Sequence, residues 1–220
     1  MILIRGEKHE KYNAFRNRVL SFAGELSEKA PGAWVSLTLT EGPPPRASVI
    51  PFKRKKIAIL SVSGSNDGMI ELSPVPEGSS GAYHVTEALP VAYTKDWPDG
   101  QKTPGACLLT LFKKKKNIDY DTFIDRWHNS HTPLSLKIHP LWHYSRNVVD
   151  ARGGDVTEKW DGIVEEHFRK RRHLTNPFIF FGNTLTMWRN MIRVYADTNA
   201  FLDYRTIETY LVREYILRSR

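Results

Sequence analysis

The chain has 220 residues, 40% of them apolar and 25% charged, with a formal net charge of +8. That balance supports a packed core and excludes global disorder. No apolar run approaches the ~20 residues of a membrane-spanning helix. A single cysteine, Cys107, excludes an internal disulfide and a Cys-rich zinc site. The apolar start over residues 1–4 is too short for a signal-peptide core. The expectation is a cytoplasmic protein with no membrane partner.

Tyr12, Phe15, Val19, Phe22 and Leu26 recur at helical spacing, predicting a helix over residues 7–29 that Pro31-Gly32 ends. Residues 34–40 alternate Val35, Leu37 and Leu39 with Ser36, Thr38 and Thr40, a half-buried strand. Further strands are expected over 57–62 and 84–94, with loop over 64–81. The Pro- and Gly-rich stretch 96–105 marks a boundary, giving halves of 1–100 and 101–220. In the second half, 106–112 reads as a strand. A helix follows, capped by Asp119 and stapled by Ile118 and Phe123, with Pro133 as its stop. Strands over 142–149 and 160–168 flank a Gly153-Gly154 loop, and a helix over 184–195 precedes a last strand over 206–217. The order β-α-β-β-α-β is that of a ferredoxin-like unit. Seen twice, the first time degenerately, it predicts an α+β chain of two tandem units whose sheets pack together.

Basic residues cluster at 53–56, 113–116 and 169–172, each beside a strand-like run. Solvated strand ends account for such clusters, and no helix-turn-helix, RNP or zinc-finger pattern accompanies them, so nucleic acid is set aside as a partner. Dinucleotide, Walker, nucleophile-elbow and His-Glu-X-X-His patterns are absent as well. His139 and His143 have metal-like spacing only on a helix, which Pro140 opposes, so no metal site is expected.

The most informative segment is Phe123-Ile124-Asp125-Arg126-Trp127-His128-Asn129-Ser130-His131-Thr132-Pro133-Leu134. With Tyr144-Ser145-Arg146-Asn147, Trp160-Asp161-Gly162-Ile163-Val164-Glu165, Asp197, Phe201-Leu202-Asp203 and Glu214, it resembles the EthD family of dimeric α/β-barrel proteins across residues 106–217. The resemblance implies ferredoxin-like units pairing into a barrel, normally as a homodimer. Proteins similar to this family include decarboxylases and dehydratases of aromatic polyketides, and the wider superfamily includes haem enzymes.

These readings converge on a pocket between the helix bearing Trp127 and His131 and a sheet bearing Tyr144 and Asp161. His131 shares a helical face with Trp127 and Phe123 and is the expected proton-transfer group. Asp161 or Tyr144 would orient it or serve as a second acid/base, with Trp127 as a wall. Phe123, His128 and Asn147 complete the substrate-contacting set, although Tyr144 and Asn147 face opposite sides of their strand. The resemblance thus implies a cofactor-independent lyase, a decarboxylase or dehydratase, acting on a small aromatic molecule. Two alternatives stand beside it. One is a haem enzyme with His131, His143 or His167 as axial ligand. The other is a non-catalytic ligand-binding or assembly protein.

Overall fold

The computed structural model describes residues 1–64, 77–150 and 156–219. Nine strands order the chain: β1 (Ile2–Arg5), β2 (Trp34–Leu39), β3 (Ile57–Ser63), β4 (Ser79–Ala82), β5 (Val85–Val91), β6 (Ala106–Phe112), β7 (His143–Val149), β8 (Gly162–Phe168) and β9 (Glu208–Arg218). Between them lie α1 (Tyr12–Lys29), α2 (Tyr120–Asp125), a π-helical segment (Arg126–His131), α3 (Thr132–Ile138), α4 (Arg171–Thr175), α5 (Pro177–Phe180) and α6 (Met187–Asn199).

The expectation of tandem ferredoxin-like α+β units forming a dimeric α/β-barrel is corrected here. All nine strands form one sheet, in the order β4-β1-β3-β2-β9-β6-β8-β7-β5. Every pairing between them is antiparallel. The joint is β2 with β9, Val35–Leu39 against Arg213–Arg218, which fuses the two halves edge to edge. Val85–Val91 crosses to the far edge and pairs with β7. The result is a mostly-β architecture built on one curled sheet, a half-barrel.

The curl is visible in the core. Leu3, Ile57 and Ile59 from β1 and β3 pack with Cys107, Leu109, Leu111, Ile163, Tyr210 and Val212 from β6, β8 and β9. A flat sheet would hold β3 and β8 four strand spacings apart, about 19 Å. Contact between their side chains therefore requires the sheet to roll onto itself. Arg5 fastens the closure: its guanidinium donates to Glu158 (2.6 Å), Glu208 (2.8 Å) and the Tyr210 hydroxyl (2.6 Å). Thus the concave apolar face of the sheet packs against residues of this same chain.

On the convex side α1 buries Phe15, Val19, Ala23 and Leu26 against Ile4, Val35, Leu37 and Leu60. Each fully buried aliphatic or aromatic side chain there contributes about 1.5–3 kcal/mol. The alternation of β2 predicts a half-buried strand, but Ser36 and Thr38 are buried too, because β2 sits at the sheet centre with both faces covered. Strand β4 forms where loop was expected, and the remainder of that stretch, residues 65–76, lies outside the described residues with the Gly153-Gly154 loop.

The other helices cover the convex side of β6, β7 and β8. Asp119 caps α2 as expected, its Oδ1 accepting from the Thr122 amide at 2.7 Å. Pro133 does not end the helix. The backbone widens into the π-helical segment, where the Thr132 amide bonds the Trp127 carbonyl, and Pro133 falls in the first turn of α3. The helical path thus runs through Pro133 and on to Ile138. Beneath it, Gly162 of β8 leaves room for aromatic edges. A Cβ there would meet Phe112 at 2.4 Å and Trp127 at 2.8 Å.

Candidate active site

Between these helices and the sheet lies a cavity of about 720 Å³. Its floor is the convex face of β6, β7 and β8, where Leu108, Tyr144 and Val164 project outward. One wall comes from the π-helical segment and α3, through Trp127, His131 and Ser135, and another from α6. The rim includes Val49, Ile50, Pro51 and Lys53 from the long β2–β3 connection. That loop is tied to β9 by a bridge between Phe52 and Thr209 and by the Lys53 amide donating to the Thr209 carbonyl at 2.8 Å.

His131 is held at both nitrogens. Its Nδ1 lies 2.8 Å from Asp197 Oδ2, and Ser135 Oγ lies 3.1 Å from its Nε2. An ionised carboxylate only accepts, so Nδ1 carries a proton, and in the neutral imidazole Nε2 is then the nitrogen that accepts. Asp197 reaches this position because α6 continues to Asn199, beyond the residue 195 end read from the apolar stripe. Its other oxygen accepts from Ser130 Oγ. Burial pushes the Asp197 carboxyl up, but the bonds from His131 and Ser130 outweigh it and leave the acid below its usual value. The pair therefore consists of an ionised acid and an oriented imidazole against the cavity.

Glu166 is the second acid at the site. It stands opposite Tyr144 in the β7–β8 ladder and, like Tyr144, lines the cavity. Its carboxyl is desolvated by burial, which pushes it up to about 7. Burial, with the nearby Glu166, pushes the Tyr144 phenol up to about 12. At neutral pH the cavity thus presents a protonatable carboxyl, a neutral phenol and an imidazole among apolar walls.

The remaining expected residues fall elsewhere. Phe123 packs behind the cavity against Phe112, Trp127 and Phe201. His128 stacks edgewise on Trp127, outside the lining, and burial lowers it to about 4. Asp161 does not orient His131; its Oδ2 accepts from the Lys114 amide at 2.8 Å, the strand-end role of a short acid. Asn147 points to the concave side, donating to Ser145 Oγ and the Ile163 carbonyl. Two participants, Asp197 and Glu166, escape a local reading. Asp197 carried only the resemblance, and Glu166 shares its strand face with Val164 rather than with Asp161.

The concave face holds a separate polar cluster. Glu214 accepts from Tyr93 Oη and Thr103 Oγ1, both at 2.7 Å, and His167 Nε2 lies 3.8 Å from its other oxygen. Burial, with Glu214 nearby, raises Glu165 to about 8, burial raises Glu214, and burial lowers His143 to about 4 and His167 to about 3. Burial also pushes the Cys107 thiol well up, consistent with inert packing.

Of the three histidines considered for haem, His131 lines the cavity with Nδ1 on Asp197 and Nε2 beside Ser135, and His143 and His167 lie on the opposite side of the sheet from the cavity. Among the described residues no group of three or more His, Cys, Asp or Glu side chains could hold a metal ion. Compared with family models, curated proteins and solved structures, the chain gives no match.

Proposed function

We propose that this protein is a small-molecule enzyme performing acid/base chemistry, a decarboxylation or dehydration, on an aromatic, polyketide-like compound without a cofactor. The observation that carries the reading is the shared outlook of His131, backed by Asp197, and Glu166 onto one apolar cavity. Trp127, Phe181, Tyr195 and Phe201 offer flat walls suited to an aromatic ring. The EthD resemblance, carried by Trp127, His131 and Tyr144, supports the same reaction class.

In an ortho-hydroxy aromatic acid, Glu166 in its protonated form would deliver a proton to the ring carbon that bears the carboxylate. The C–C bond to that carboxylate then breaks, releasing carbon dioxide as the ring recovers its electron pair. His131, its Nδ1 proton directed to Asp197, would accept the phenolic proton through Nε2 once Ser135 turns away. Positioned acid/base groups of this kind contribute about 10²–10⁴-fold each.

The test is to incubate the protein with 1,3-dihydroxy-2-naphthoic acid and follow its decarboxylation by chromatography. Loss above the buffer rate that disappears in His131→Ala supports the reading. An equal rate in wild type and His131→Ala rejects it for this substrate class.

A further inference from the structure

The face formed by α4, α5 and α6 combines two unusual features. Residues 169–196 hold six cations, Arg169, Lys170, Arg171, Arg172, Arg189 and Arg193, and no Asp or Glu. Among the described residues none of these six forms an ion pair with an acidic side chain. Amid them runs an apolar stripe that the core does not use. Leu185 is 92% exposed, Trp188 64%, Ile192 64% and Tyr195 56%.

The helix geometry separates these roles. Met187 and Thr198 of α6 are buried toward the sheet, with Met191 and Val194 half-buried beside them. Trp188, Ile192 and Tyr195, at spacings of four and three, lie on the adjoining arc, and Arg189 and Arg193 lie one position further round. The stripe ends at the cavity, because Ile192 and Tyr195 both stand exposed and line its mouth.

We infer that this face docks on an anionic lipid surface, so that the cavity mouth opens toward the bilayer. Charge complementarity selects this occupant. A second copy seated by a two-fold contact would bring the same cations together, with Asp197 near Arg193 as the neighbouring acid. A lipid surface meets both features at once: Leu185 and Ile192 enter the acyl boundary, and the Trp188 and Tyr195 rings sit at headgroup level. The guanidinium groups meet phosphate and carboxylate. The helix would lie on the membrane rather than cross it. No helix among the described residues is long and apolar enough to cross, and an interfacial helix requires no such length. An apolar substrate dissolved in the bilayer would then reach the cavity without passing through water.

The test is co-sedimentation of the full chain with phosphatidylcholine vesicles, with and without phosphatidylserine. Wild type is expected to bind the anionic vesicles, and binding should weaken as salt rises. Leu185→Ser/Trp188→Ser and Arg171→Gln/Arg172→Gln/Arg189→Gln should each lower partitioning at least tenfold, given about fivefold per cation near the surface. All five positions are solvent-exposed, and unchanged melting by circular dichroism would certify the folds. Absence of vesicle binding by wild type, or wild-type binding by both variants, overturns the inference. So does a dimer in light scattering that Leu185→Ser/Trp188→Ser dissociates, which would assign the stripe to a second copy. None of these readouts depends on turnover, so they stand apart from the proposed reaction.

Discussion

His131 Nδ1 stands 2.8 Å from Asp197 Oδ2, although 66 residues separate them in the chain. The contact exists because α6 lies against the π-helical segment, and Asp197 sits in its final turn. It determines which imidazole nitrogen carries the proton and which can accept one from a ligand.

Replacing Asp197 with Asn removes that direction. The amide can present either its oxygen or its NH₂ to Nδ1, so the tautomer is no longer imposed. Turnover should fall about 10²–10³-fold. Long-range ¹⁵N–¹H spectra of the His131 ring should shift from a single Nδ1–H tautomer to a mixture. A retained Nδ1–H tautomer would show that Asp197 does not orient the ring.

Ser135 Oγ bonds the working nitrogen, so Asp197, His131 and Ser135 form a line that resembles a nucleophilic triad. Ser135 lines the cavity from α3, but the proposed reaction has no covalent step for it to perform. The account therefore expects Ser135→Ala to retain turnover within about tenfold, because His131 acts directly. A loss of about 10⁴-fold or more would mark the serine as a nucleophile instead.

Glu166 sets the pH dependence of the reaction. Its carboxyl is held protonated up to about 7 by burial, so a proton-donating role is present below that pH and lost above it. The rate should fall as pH rises through about 7. Glu166→Gln, which cannot release a proton at any of these pH values, should lower the plateau and erase that limb. An alkaline limb unchanged in the Gln variant would assign it to another group.

Stability should follow a different set of groups. Glu165, raised to about 8 from a usual 4.5, holds a proton in the folded chain that the unfolded chain has released. Its contribution is full below pH 4.5 and is lost as pH rises to about 8. His143 and His167, lowered to about 4 and about 3, act in the opposite sense. The unfolded chain takes up their protons below 6.5, so stability falls as pH drops through that value. Between pH 6.5 and 8 Glu165 lowers stability as pH rises, while the buried Met1 ammonium, lowered from 8.0 to about 6, acts in the opposite sense, so the two largely offset. The contribution of Glu165 is therefore read as the difference between wild type and Glu165→Gln in urea unfolding, where the wild type should lose about 2 kcal/mol relative to the variant across that window. A difference that does not change with pH would contradict the assignment.

Local patterns made part of this site legible. Helical spacing placed Trp127 and His131 on one face, and strand alternation separated Tyr144 from Asn147, as the fold bears out. Long-range pairing was not legible. The β2–β9 joint links residues near 35 with residues near 218, and nothing local to either strand announces the partner. For that reason the halves read as separate units when they share one sheet. Pro133 read as a stop because a π-helical widening leaves no mark in spacing. Strand alternation sets Glu166 on the face opposite Asp161, and nothing local shows that this is the face the cavity meets, while the Asp161 carboxylate accepts from the Lys114 amide at the strand end.

The central claim is that His131, oriented by Asp197, moves protons to and from an aromatic ligand in the cavity. Deuterium incorporation measures this directly. With 1,3-dihydroxynaphthalene in heavy water, the carbon between the two hydroxyls exchanges its hydrogen through the keto form, and proton NMR follows the loss of signal. The account predicts exchange well above the buffer rate in wild type, returning to the buffer rate in His131→Ala and strongly slowed in Asp197→Asn. Exchange by His131→Ala as fast as by wild type would contradict it.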